Sequence, residues 1–362
     1  MDERRVQVMD IRALIREEVL AQEAYPVETT PCRIKLDANE NPLAIPAELR
    51  KKFATLLASV PLNRYPEAGS VALTARFAAA FGVGEDQVLL GNGSDELIQI
   101  LCAALARPGA EVMIPVPTFA MYRISAQNAG CRVEAVPLDG AFDLDLGAMR
   151  ERMAAHPPVL TFLAWPNNPT GNCFTPEKIE TILNEAPGIV VVDEAYFHFS
   201  GKTFLPLLGR YENLVILRSL SKVGLAAMRI GLLIGPPDLV HELRKVRLPY
   251  NINALSQAAA GFYLDEEEVF LKQARKIRRQ RGELFAAMEA LTGIHPQPTD
   301  ANFIFFSCDF DADRVYKNLM ERGILIKNLS APGTMKGAMR VTVGTSEENR
   351  QFIEVLRDII SG

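Results

Sequence analysis

From about residue 70 to residue 270 the chain alternates short runs of Val, Ile and Leu with longer amphipathic stretches, and that alternation restricts the fold more than any other feature. The runs are Val88 to Leu90, Val112 to Ile114, Val159 to Ala164, Ile189 to Val192, Leu214 to Leu217 and Gly231 to Ile234. A strand with water on one face alternates apolar and polar residues. A strand that is apolar throughout is covered on both faces, as in a mostly parallel sheet flanked by helices. The spacing therefore predicts a large α/β domain over residues 61–270. A chain of 362 residues exceeds the roughly 250 that one core usually organises, so a second unit is expected.

That unit begins where the pattern changes. After residue 270 come a long basic helix through Ala290, then Ala301 to Phe306, Gly323 to Lys327 and Ala338 to Val343 with helices between and after, which predicts a small α+β domain over 271–362. Its last helix opens with a capping box, Thr345 with Glu348, and carries Phe352, Ile353, Val355, Leu356 and Ile359 on one face. At the other end, Ile11, Leu14, Ile15, Val19 and Leu20 recur at helical spacing. They predict an amphipathic helix packed on a neighbouring domain or subunit, within an N-terminal segment, 1–60, that contributes to the small domain and the site.

Composition narrows the function. The net charge of -5 comes without a long basic block, which argues against a nucleic-acid surface. The five cysteines are odd in number, scattered, and form no C-x-x-C pair, so neither a disulfide framework nor a zinc site is indicated and a reducing cytoplasm fits. No apolar run approaches the 18 residues of a membrane span, and none follows the opening Met-Asp-Glu-Arg-Arg as in a signal peptide. The four histidines (His156, His198, His241, His295) lie in no motif, so no metal is expected.

In an open parallel sheet, ligands bind beyond the carboxyl ends of the strands. Asn167-Asn168-Pro169-Thr170-Gly171 closely follows Val159 to Ala164, Asp193 to Tyr196 follows Ile189 to Val192, and Arg218 to Lys222 follows Leu214 to Leu217. Each alone has a plain explanation, as a turn, a helix cap and a solvated lysine. Together they bring an amide, a carboxylate and an amine to one edge. The run Val88 to Leu90 leads into Gly91-Asn92-Gly93-Ser94-Asp95-Glu96 and a helical stretch, so glycines can turn free N–H groups of a helix N-terminus toward an anion. An ordinary N-cap by Ser94 or Asp95 is the alternative. Gly201-Lys202-Thr203 has Tyr196 where a Walker loop needs its first glycine, which disfavours nucleotide binding.

Asn39-Glu40-Asn41-Pro42, Asn63-Arg64-Tyr65-Pro66, Gly91 to Glu96, Pro117-Thr118-Phe119, Asn167 to Gly171, Asp193 to Tyr196, Ser219 to Lys222 and Arg340 to Gly344, in that order, resemble the fold type I aminotransferases. The likeness runs from about residue 30 to the end and is greatest toward the histidinol-phosphate aminotransferases. It implies a pyridoxal 5'-phosphate enzyme, a homodimer acting on a small amino donor and 2-oxoglutarate. Lys222 would bind the cofactor covalently and then move a proton, with a pKa lowered by burial. Asp193 would keep the ring nitrogen protonated, its own pKa depressed by that pairing. Asn168 and Tyr196 would hold the phenolic oxygen, and Phe119 would stack on the ring where the family usually has Tyr. The phosphate would rest on Ser94 and Asp95 and receive Ser219, Ser221 and Arg229, with Tyr65 from the partner subunit. Arg340 would take the anionic end of the substrate, with Lys327 standing where the family often has an arginine, and Asn41 and Asn302 as further contacts. The segment from Lys222 to Arg229 is one residue shorter than the common family pattern. An aromatic or broad-specificity aminotransferase and a threonine-phosphate decarboxylase share much of this motif set.

Overall fold

A computed structural model describes residues 10–24 and 28–361. Residues 1–9, the start of the expected N-terminal segment, lie outside them. Strand β1 is Ile34–Lys35. Strands β2 (Val88–Asn92), β3 (Glu111–Val116), β4 (Arg132–Pro137), β5 (Leu160–Ala164), β6 (Ile189–Asp193), β7 (Leu214–Ser219) and β8 (Ile230–Ile234) form one sheet in the order β2-β8-β7-β6-β5-β3-β4. Pairing is parallel from β7 through β4, while β8 runs antiparallel to both of its neighbours.

Successive residues of each inner strand feed opposite faces. Val190 and Val192 of β6 join one core, with Met113, Leu163 and Ile216, under helices Val71–Phe81, Leu146–Ala155, Pro176–Glu185 and Ala254–Asp265. Val191 joins the other, with Val112, Phe162 and Leu217, under helices Ser94–Leu105, Ala120–Asn128 and Pro237–Val246. This two-sided burial is why the runs are unbroken, since each such side chain contributes about 1.5–3 kcal/mol only if neither face meets water. Strand β4 was not expected: as Arg-Val-Glu-Ala-Val-Pro on the sheet edge it is half-covered, exposes Arg132 and Pro137, and has no continuous apolar run.

A third core belongs to the C-terminal part. Strands β9 (Ile294–Pro296), β10 (Phe303–Cys308), β12 (Lys327–Asn328) and β13 (Ala338–Thr342) form an antiparallel sheet in the order β12-β13-β10-β9. The stretch 323–327 divides, with β11 (Ile324–Leu325) pairing parallel with β1 and β12 pairing with β13. Ile34 and Leu36 thereby bury in this core. Helix Ser346–Ser361 closes it through Phe352, Ile353, Leu356 and Ile359. Its capping box forms: Glu348 N–H donates to Thr345 Oγ1 at 3.2 Å and Thr345 N–H to Glu348 Oε2 at 2.7 Å. Helix Glu267–Glu289 bridges two cores, with Phe270 in the first and Ile277, Leu284 and Met288 in the third.

The expected N-terminal amphipathic helix is broken. Ile11–Leu14 forms a 3-10 turn, Glu17–Leu20 a single α-turn, and Ile15 and Arg16 between them are extended at ψ 136° and 141°. None of its apolar side chains is buried, and Leu14 is 72% exposed. One turn is below the length at which helix propagation outweighs nucleation, and nothing among the described residues buries the stripe. No helix of the described residues is long and apolar enough to cross a membrane.

Candidate active site

Parallel neighbours β5, β6 and β7 end at one edge of the sheet, where the chain encloses a cavity of about 320 Å³. Strand β6 delivers Asp193 as its last residue, and β7 delivers Ser219 and then a π-type turn, Ser221–Leu225, carrying Lys222. After β5 the loop is braced by Asn167, whose amide donates to Pro117 O at 3.0 Å and Thr170 Oγ1 at 2.8 Å and accepts from Thr118 Oγ1 at 2.8 Å. The brace leaves the next residue, Asn168, lining the cavity.

Asp193 is only 4% exposed, and its carboxylate accepts from Tyr122 Oη at 2.7 Å and from Ala195 N–H at 3.0 Å. Burial raises its pKa to about 6 against the pull of those two bonds. The depression expected from the sequence requires a cation at this carboxylate, and the chain alone sets the opposite direction. Tyr122, which the sequence reading passed over, is fully buried and stacks on Phe162 with ring centroids 4.6 Å apart. Lys222 lies in the same cavity with Nζ donating to Ala38 O at 3.2 Å. Its pKa falls to about 8, first because burial disfavours the ammonium and then because Arg340 is nearby.

The anion cup forms around close backbone approaches. Gly93, at φ 82°, is the N-cap of helix Ser94–Leu105, and no side chain caps that helix, so the alternative N-cap by Ser94 or Asp95 does not occur. A Cβ on Gly93 would lie 2.6 Å from the Arg229 guanidinium, and one on Gly231 would lie 2.3 Å from Ser94 N. The shortened segment after Lys222 passes through the π-type turn and a 3-10 turn to Arg229, which adopts φ 53°. From there the guanidinium donates to Asp95 Oδ2 at 2.8 Å and Ser221 Oγ at 3.5 Å, while Ser219 Oγ accepts from Ser221 N–H at 3.1 Å. Uncapped N–H groups, two hydroxyls and an arginine form a phosphate-binding set. With the Phe119 ring, the buried carboxylate and the low-pKa amine lining the same cavity, the residues fit pyridoxal phosphate.

A family model described as aminotransferase class I and II matches residues 33–356. The chain belongs to that family. It is 44% identical over 346 residues to histidinol-phosphate aminotransferase 2 of Nitrosococcus oceani, covering 95% of this chain and 96% of that one. It is 41% identical over 348 residues to the histidinol-phosphate aminotransferase of Aquifex aeolicus, covering 96% and 98%. The crystal structure of histidinol-phosphate aminotransferase from Sinorhizobium meliloti in complex with pyridoxal-5'-phosphate shares the fold, with a TM-score of 0.87 at 20% identity over 96% of this chain and 97% of that one.

In this aminotransferase the second wall of the cavity comes from outside the large sheet. Arg340 of β13 and Lys327 of β12 are register partners, and both line the cavity. The Arg340 guanidinium donates to Asn168 Oδ1 and Asp37 O, and lies 5.2 Å over the Phe303 ring. Asn39, held at φ 56°, donates from its amide to Tyr196 Oη at 2.9 Å and from its N–H to Thr342 Oγ1 at 2.9 Å. Three named candidates do not line this cavity. Asn302 is buried and donates to Asn39 O at 3.0 Å, so it supports the wall from behind. Asn41 ties the N-terminal segment to the turn bearing Lys222 by donating to Val223 O at 2.8 Å. Tyr65 is 81% exposed and stacks on Tyr250, with centroids 4.7 Å apart.

Proposed function

We propose that this aminotransferase exchanges the amino group of histidinol phosphate for the keto group of 2-oxoglutarate, giving imidazole acetol phosphate and glutamate, with pyridoxal phosphate held by Lys222. The observation that carries this reading is the presence of two cationic groups in one cavity: Arg229 at the helix N-terminus, and the Arg340–Lys327 pair on neighbouring strands. One suits the cofactor phosphate. The other offers a guanidinium fork and a point charge, which accommodate a phosphate dianion or a carboxylate.

When bound, pyridoxal phosphate supplies an electron sink for the pair left at the substrate Cα. The protein does the rest. Lys222 Nζ, whose pKa burial and Arg340 lower to about 8, would be the group that holds the cofactor and carries the Cα proton. Asp193 would hold a proton on the ring nitrogen, and Tyr122 orients the Asp193 carboxylate. Asn168, with its oxygen occupied by Arg340, would offer its amide donors to the phenolic oxygen together with Tyr196. Ser94, Asp95, Ser219, Ser221 and Arg229 would grip the phosphate, and Phe119 would cover the ring. The exposure of Tyr65 supports a homodimer in which it reaches the partner's cavity. Histidine biosynthesis in the cytoplasm and the division into segments 1–60, 61–270 and 271–362 complete the reading.

The test is a single-turnover panel in which loss of the enzyme's visible absorbance is followed with histidinol phosphate, phenylalanine, tyrosine, glutamate and threonine phosphate. Histidinol phosphate should react at least about tenfold faster per unit concentration than the aromatic amino acids. Equal rates would replace the specific substrate with a broad one.

A further inference from the structure

At the edge of the large sheet away from the cavity, three side chains meet without a role in transamination. Glu111 begins β3, Glu134 lies within β4, and His156 follows helix Leu146–Ala155. The parallel register pairs Glu111 with Arg132 and Met113 with Glu134, so both carboxylates project from the face that this helix covers. One carboxylate oxygen from each Glu and one imidazole nitrogen lie within 4.8 Å of one another. His156 Nδ1 is 3.2 Å from Glu111 Oε1.

Within the protein this cluster is poorly balanced. Glu111 is 7% exposed, yet its Oε2 has no hydrogen-bond partner among the described residues. Such an orphaned buried oxygen forgoes its hydration without replacement. A second carboxylate stands beside it, and among the described residues no ion pair to Glu134 or to Arg132 relieves the pair. A protonated imidazole would bring one positive charge against two negative ones.

We propose that Glu111, Glu134 and His156 bind a divalent cation of the zinc class. One imidazole nitrogen and two carboxylate oxygens are donors that this class accepts, with a solvent molecule free to complete a tetrahedron. A triangle with 4.8 Å sides has its centre about 2.8 Å from the corners, so donor shifts of under about 1 Å reach the usual 2.0–2.2 Å. The His156 side chain is 44% exposed and opens a path for entry. The cation brings positive charge to the two carboxylates and joins β3, the edge strand β4 and the end of a covering helix. It acts as a staple on the sheet edge, at the opposite ends of the strands from Lys222.

The test uses the cofactor-loaded enzyme after chelator treatment. Titration with zinc chloride in a calorimeter should show one saturable site, and the thermal midpoint should rise by at least about 2 °C at a hundredfold excess over the dissociation constant. His156→Ala and Glu134→Gln, both at half-exposed positions that spare Glu111, should each weaken binding by at least about tenfold and remove the thermal shift. The visible absorbance should stay unchanged in both. No saturable uptake by the wild-type protein, or uptake that both variants retain in full, overturns the site.

Discussion

The two walls of the cavity are made in different ways. Asp193, Ser219, Lys222 and Asn168 stand at or just after the ends of buried strands, so packing on both faces of the sheet fixes their backbone. Arg340, Lys327, Asn39 and Tyr196 are brought together by long-range bonds: Asn39 reaches Tyr196 across 157 positions and Thr342 across 303. A wall of the first kind is set by hydrophobic burial and tolerates loss of one hydrogen bond. A wall of the second kind is a polar network, where removing one member leaves buried partners unsatisfied.

The largest effect should come from the first wall. Lys222→Ala should lower the transamination rate by about ten-thousandfold or more and abolish the absorbance of the lysine-bound cofactor. An active variant whose cofactor is fixed by borohydride would remove Lys222 from its place.

Asp193→Asn tests the same wall through its cost. A carboxyl with a folded pKa of about 6, above its unfolded 3.8, stabilises the cofactor-free protein only at acid pH, and that contribution is lost as pH rises from about 4 to 6. The loss amounts to about 3 kcal/mol for a fully buried group. At pH 7 the Asn variant should therefore melt higher than wild type when cofactor-free, yet hold pyridoxal phosphate far more weakly. A lower melting point would show that Asp193 is not strained by burial.

For the second wall, Arg340→Lys should reduce kcat/KM for an anionic amino donor by about 2 kcal/mol, roughly thirtyfold, by losing the fork that holds Asn168 Oδ1 and Asp37 O. Cofactor absorbance should persist, and its disappearance would mean that the walls are not separable. Smaller still, capture of pyridoxal phosphate by the cofactor-free protein should quicken with pH and level off above about 8, as Lys222 loses its proton. Stopped-flow absorbance between pH 6 and 9 would show a flat profile if Lys222 were solvated like an ordinary lysine.

The same division explains what could be read in the sequence. The strand-end residues were legible because a run of apolar residues and the residue after it are neighbours in the chain, as in Val159 to Asn168, Ile189 to Asp193 and Leu214 to Lys222. Tyr122 escaped because its partner Asp193 is 71 positions away and nothing in its own surroundings marks it. Asn41 and Asn302 looked like substrate contacts because the motifs place them near the site, whereas their amides are spent on Val223 O and Asn39 O. Strand β4 and the antiparallel direction of β8 escaped for a related reason: an edge strand needs no apolar run, and strand direction leaves no trace in composition. The N-terminal stripe kept its helical spacing but not a continuous helix, because the short turns on either side of Ile15 and Arg16 have no buried side chain among the described residues to hold them together.

The ion pair between Arg229 and Asp95 gives the anion cup a resident of its own. A phosphate entering there would not meet a bare guanidinium; it would take over a place that Asp95 already holds, and arrival would become an exchange. Because both side chains are more than a third exposed, the pair is weak and the exchange is easy. The cup can thus keep its arginine oriented between occupants while surrendering it readily, and a neutral residue at 95 would trade that readiness for a tighter grip on any passing anion.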